Sequence, residues 1–214
     1  MSDVFREVDE AVREDQLKQF FKRYGLVLGI GLFVLVVGIG GWQFWRSWQE
    51  GERVESSDAY ATAMLQARQG QPQAALEGLT ALADPAEGEV ATLAAFARAR
   101  ILLGEGQREE AVALWDQLAA SEASGPIYRD LALLLSVMHQ IGHAPAQELS
   151  ERLAPLTGET EPFRGLAVEL QGLLALEAGE TARARELLES LRDDPATTRD
   201  QKERVTQLLA GLPG

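Results

Sequence analysis

The chain contains no cysteine and no asparagine, and only two of its 214 residues are histidine. Without cysteine there can be no disulfide, no thiolate nucleophile and no cysteine-ligated metal centre. Without asparagine, N-linked glycosylation of an Asn-x-Ser/Thr site is excluded. Basic residues are scarce as well: residues 46–214 hold 27 Asp and Glu against 15 Lys and Arg, a balance of −12. Such a charge keeps a domain soluble and repels phosphate backbones and anionic lipid headgroups, so nucleic acid is not an expected partner. With seventeen Arg against three Lys and abundant Ala and Leu, the usage fits a GC-rich bacterial genome.

A further absence organises the chain. From Tyr24 to Trp45 there is no charged residue, although Lys22, Arg23 and Arg46 flank the run. At ~1.5 Å per residue it makes a helix of roughly 33 Å, which matches a hydrocarbon core of ~30 Å and predicts a single transmembrane helix over 24–45. A secretory signal peptide has an apolar core of only ~7–15 residues and a small-residue cleavage site. Gly38, Gly40 and Gly41 are small, but the chain then runs into Trp42, Phe44, Trp45 and Trp48, aromatics that suit a headgroup belt. A buried helix of a soluble protein rarely carries so many apolar residues without one charge. Within fifteen residues of the run, the N-terminal side has Arg13, Lys18, Lys22 and Arg23, and the C-terminal side has Arg46 and Arg53. The positive-inside rule then places the N-terminus in the cytoplasm and residues from about Gln49 onward across the membrane, in the periplasm of a bacterium with two membranes. Residues 1–23 are patterned with Val4, Val8 and Val12 on one face, and read either as an amphipathic segment on the inner membrane surface or as a partly disordered tail. Gly25 and Gly29 form a small-xxx-small pair where a second helix could approach.

Beyond a linker or helix extension at 46–58, residues 59–214 repeat themselves. Gly70, Gly106, Gly142 and Gly179 are spaced 36, 36 and 37 residues apart, each between two helical stretches. A period in the mid-thirties signals stacked helical hairpins. Five residues after the glycine stands Ala75, Ala111 or Ala184, followed at four and seven residues by Leu79 and Leu82, Trp115 and Leu118, or Leu188 and Leu191. These positions share one helix face, with the alanine small enough for close backbone approach. Seven residues before the glycine stand Ala63, Ala99 and Gly172, also small, while Leu135 breaks the series. The third unit departs again, with Gln147 at the alanine position and Glu151 where a large apolar residue belongs. Asp84-Pro85, Gly125-Pro126, Glu161-Pro162 and Asp194-Pro195 mark the unit boundaries. A final stretch, Thr198–Leu212, reads as a capping helix whose N-cap is Thr198 or Asp200.

The turn glycine, the alanine five positions on and the aromatic four later resemble tetratricopeptide repeats, most closely in Gly106-Gln-Arg-Glu-Glu-Ala111-Val-Ala-Leu-Trp115. The expected fold is therefore all-α, a transmembrane helix followed by a TPR-like solenoid of about four hairpins and a capping helix, with Gly70, Ala75, Leu79, Gly106, Ala111, Trp115, Gly179, Ala184 and Leu188 as packing positions.

Little in the chain points to catalysis. His139 and His143 have the i, i+4 spacing of a zinc pair, but Gln-Ile-Gly lies between them, no third ligand is evident, and two partly exposed histidines at a turn are the plainer reading. Gly104-Glu-Gly106 lacks the Lys-Ser/Thr of a phosphate-binding loop. The carboxylates are expected on solvated helix faces. No cofactor, metal or small-molecule substrate is expected.

The stretch Gly41-Trp42-Gln-Phe44-Trp45-Arg-Ser47-Trp48-Gln49, with Ser57, Ala59, Tyr60 and Ala63 after it and Leu17-Lys-Gln-Phe20-Phe21 and Tyr24-Gly25 before it, is similar to the ancillary SecYEG translocon subunit family. That resemblance covers roughly the first 65 residues in detail, and the remainder in architecture alone. It implies a non-enzymatic single-pass inner-membrane protein whose periplasmic domain associates with the Sec translocon and a membrane-anchored periplasmic chaperone. Alternatives are a periplasmic scaffold for envelope assembly or cell division, built the same way, and a membrane-bound hydrolase using His139 or His143.

Overall fold

The computed structural model describes residues 55–83 and 88–212. The expected transmembrane helix, its aromatic belt of Trp42, Phe44, Trp45 and Trp48, and the segment 1–23 lie outside the described residues. Among those described, no helix is long and apolar enough to cross a membrane.

Each hairpin begins with the chemistry of its turn. The helix α1 (55–68) carries on through the last residues of the expected linker and ends two residues before Gly70. In the left-handed conformation at φ 76°, Gly70 lets its N–H reach the Ala67 carbonyl while the Gln71 N–H reaches that of Gln66. Two carbonyls at the helix end are thereby satisfied, and the chain reverses within three residues. Gly106 and Gly179 repeat this pattern with φ 79° each. The helices α2 (Pro72–Ala83), α4 (Arg108–Ala120) and α8 (Thr181–Asp193) therefore follow α1, α3 (Glu89–Gly104) and α7 (Arg164–Glu177) closely. Two helices, α5 (Pro126–Met138) and α6 (Ala146–Leu153), form the third hairpin, with a 3-10 turn at Ala154–Thr157. The last helix, α9 (Arg199–Ala210), starts at Thr198, whose hydroxyl accepts the Gln201 N–H. That settles the N-cap in favour of Thr198 over Asp200. Nine α-helices and no strand are present among the described residues.

Packing proceeds in steps. Four apolar clusters each join one hairpin to the helix that follows it. Ala63 and Leu79 meet Ala94 and Ala97; Ala99, Ala111 and Trp115 meet Ala132; Val137, Leu149 and Leu153 meet Ala167, Leu170 and Leu174; Val168, Leu188 and Leu191 meet Val205. No hairpin closes its own core, which is the energetic reason a solenoid needs neighbours and an end cap. Helix α9 stands where a fifth hairpin would begin.

The third unit follows the same plan in a shifted register. Only three residues connect α3 to α4 and α7 to α8, but seven connect α5 to α6. The small crossing residue is thus Ser136, fully buried, and the series runs Ala63, Ala99, Ser136, Gly172 at spacings of 36, 37 and 36. Leu135 does not interrupt it. On the second helix and the 3-10 turn that follows it, Leu149, Leu153 and Leu156 are buried and keep the 4 and 3 spacing of Ala75, Leu79 and Leu82. Gln147 and Glu151, the departures found by counting from Gly142, are exposed and hydrogen-bond each other at 2.8 Å. The longer connection carries α6 forward by two residues, so counting from the glycine lands on the wrong face.

These placements separate by mutation. Leu153→Ala should cost about 2–5 kcal/mol, as expected of a fully buried leucine, whereas Glu151→Ala should stay within about 0.5 kcal/mol. Urea unfolding of the full chain reads both, and equal effects would show that the shifted register is wrong.

A candidate protein-interaction face

Among the described residues, five large hydrophobic side chains remain exposed: Leu65, Leu93, Ile127, Met138 and Leu166. All five belong to first helices, α1, α3, α5 and α7, and none to α2, α4, α6 or α8. Measured from the crossing residue of each helix, Leu65 and Met138 stand two residues after it, Leu93 and Leu166 six before it, and Ile127 nine before it. At about 100° per residue these offsets fall roughly 200°, 120° and 180° around the helix from the crossing residue. The exposed apolar residues therefore share the side of each first helix that turns away from its own hairpin partner. Neighbouring first helices also touch, as Phe96 of α3 and Tyr128 of α5 place their ring centroids 6.3 Å apart. Exposed acids occur on both sets, Glu109, Glu110, Glu148, Glu151 and Glu186 on second helices and Glu55, Asp58, Glu89 and Glu177 on first helices.

The expected packing residues lie beneath this face. Ala75, Ala111, Ala184, Leu79 and Leu188 are fully buried and Trp115 is 2% exposed, while Gly70, Gly106 and Gly179 hold the exposed turns. At Gly172 an added Cβ would come within 2.9 Å of the Leu188 side chain, so the backbone of α7 approaches α8 as closely as the crossing allows. Trp115 has an indole N–H with no acceptor. Its ring is stacked by His139, with centroids 5.0 Å apart and planes inclined by 20°. His143 is exposed on the following turn. Neither histidine belongs to a group of three or more potential metal ligands among the described residues.

One carboxylate, Glu169, departs from the expectation of solvated faces, and another, Asp116, joins a polar node while its side chain stays 42% exposed. Ser136, at the crossing of the third unit, donates to Asp116 of α4 and accepts from Gln140 at 2.9 Å and from Arg152 of α6 at 3.1 Å; Arg152 also donates to Asp116. One hydroxyl proton and both lone pairs of Ser136 are used, so this buried polar node is complete. Glu169, 9% exposed in α7, accepts from Gln201 at 2.9 Å and from Arg204 Nε and Nη2 at 3.2 and 3.1 Å, both on α9. Gly165 leaves room for Gln201, since a Cβ there would stand 2.7 Å from its amide oxygen. Sequence did carry a signal for Glu169, the sole charge between Gly165 and Leu176. An isolated charge in an apolar helix asks for a partner. Nearby, Arg164 of α7 pairs with Asp194, which also accepts the Ala196 N–H at 2.8 Å. That backbone bond first, and then Arg164, hold the Asp194 carboxyl below the usual carboxylate range.

A family model described as a tetratricopeptide repeat-like domain matches residues 18–207. No curated protein and no solved structure matches the chain.

Two outcomes follow from this geometry. Burial lowers the pKa of His139 below its ordinary value. The unfolded chain therefore takes up the proton first, so this contribution to stability is complete above a pH of about 6.5 and is lost as pH falls toward the folded value. The unfolding midpoint should drop between about pH 7.5 and 5.5, and His139→Gln should flatten that slope. Separately, Glu169→Ala leaves Gln201 and Arg204 without their acceptor. It should cost about 1–3 kcal/mol and speed amide exchange in α9 ahead of α2 to α5, with unchanged α9 protection arguing against the lock.

Proposed function

The chain belongs to the tetratricopeptide repeat-like domain family, and on that premise we propose that it is a membrane-anchored protein-interaction module, an ancillary subunit of the Sec translocon that helps pass secreted proteins to periplasmic chaperones. Repeat domains of this kind are typically non-enzymatic scaffolds, and protein partners are what the fold suggests. The observation that carries the reading is the set of five exposed hydrophobic side chains confined to the first helices. Monomeric surfaces scatter such residues singly, whereas apolar residues gathered on one side of successive helices mark a contact surface.

The finer assignment draws on the first 65 residues. The charge-free run Tyr24–Trp45, its aromatic border and the excess of basic residues before it support a single inner-membrane span with the repeats in the periplasm. The family match begins at residue 18, so this run and the repeats belong to one family unit. Anchoring near the translocation exit raises the local concentration of the repeats around emerging chains, so modest contacts suffice.

Photocrosslinkable residues placed at Gly25, Gly41, Leu93 and Ile127, with Glu110 and Glu186 as controls on second helices, test this in native membranes. Translocon subunits should crosslink to the anchor positions, and a periplasmic chaperone to Leu93 and Ile127 but not to the controls. Envelope-assembly proteins on the repeats, with the anchor contacting only itself, would favour the scaffold alternative.

A further inference from the structure

Where the apolar side of α7 meets the start of α9, the structure holds a cavity of about 600 Å³, within the ~300–1,000 Å³ of ligand sites. Its walls include Leu166, one of the five exposed hydrophobics, with Pro162 and Phe163 beside it. Two arginines also line it, and each already has a carboxylate: Arg164 is paired with Asp194 and Arg204 with Glu169. Two acids of the wall, Glu159 and Glu161, make no ion pair with any described residue.

An occupant is thereby specified by two demands. The unpaired glutamates call for a cation, because the cavity's own cations are committed elsewhere. Leu166, Pro162 and Phe163 call for an apolar side chain. We propose that this cavity binds a short segment of a partner protein in which Arg or Lys stands beside a large apolar residue, the side chains lying against Glu159/Glu161 and Leu166. The proposal rests on the interaction face described above and names the chemistry of what that face takes at its C-terminal end. A net charge of −13 on the chain draws basic segments toward it from solution.

The test selects a library of eight-residue peptides, randomised at every position, on the full chain in detergent micelles, and sequences the bound fraction. Bound peptides should be enriched in Arg or Lys next to Leu, Ile or Phe. Glu159→Gln/Glu161→Gln should weaken an enriched peptide about tenfold, roughly threefold to fivefold for each partly exposed charge, and the binding should fall as salt rises. Enrichment of acidic peptides, no enrichment, or a basic preference that survives in the double variant would overturn the proposal. The broader face is judged apart from it, since crosslinks from Leu93 and Ile127 in the glutamine variant report that face with the cavity's charge removed.

Discussion

The close crossing of the two helices in the first, second and fourth hairpins is the constraint from which the rest of the structure follows. Ala63 lies against Gly78, and Gly172 against Leu188, at distances that a larger side chain could not share. Once the helices cross there, the Leu79, Trp115, Leu153 and Leu188 side chains are carried to the side facing the next unit. Each then becomes part of a core that a single hairpin cannot complete. Alternation of first and second helices is a result of the same geometry, and with it the confinement of the exposed large apolar residues to first helices.

The third hairpin shows how this plan survives a disturbance. Its connection is four residues longer than those of its neighbours, and Leu149 takes the position that alanine holds elsewhere. A leucine there keeps α5 and α6 further apart, and their contact is sparser than in the second and fourth hairpins. Polar groups compensate: Ser136, Asp116, Arg152 and Gln140 tie α4, α5 and α6 together through bonds that require fixed distances. Such a node gives little net stability, because each group gives up water to join it, but it specifies one arrangement over others. The mid-point of the array is thus held by directional contacts, and its two sides by apolar ones.

Closure at the end of the array uses the same principle. Helix α9 covers Val168, Leu188 and Leu191 with Val205, while Glu169 fixes its rotation through Gln201 and Arg204. By covering one side of α7 and leaving Leu166 open, α9 sets the limit of the interaction face and one wall of the cavity beside it. Function and stability meet here, as the residues that stop the solenoid also shape what it can bind.

Much of this was legible in the residue pattern. A repeat period, left-handed turn glycines and small residues at fixed offsets depend on local backbone geometry, which spacing records directly; hence the hairpins, the crossing alanines and the terminal helix were readable. Residues 55–58, the last of the expected linker, are helical and open α1, while the question whether the linker continues the charge-free run lies outside the described residues. Counting failed in the third unit because a longer turn moves every later residue around its helix axis, and nothing local to Gln147 or Glu151 reports that shift. Nor could spacing pair Glu169 with Gln201, or Asp116 with Arg152, since these partners lie 32 and 36 residues apart. The sequence by itself determined the repeating unit and its close contacts, through steric limits within a single turn. Only the tertiary structure decided which apolar residues stay exposed, that Glu169 is buried and where the cavity opens, because those depend on how separate hairpins stack.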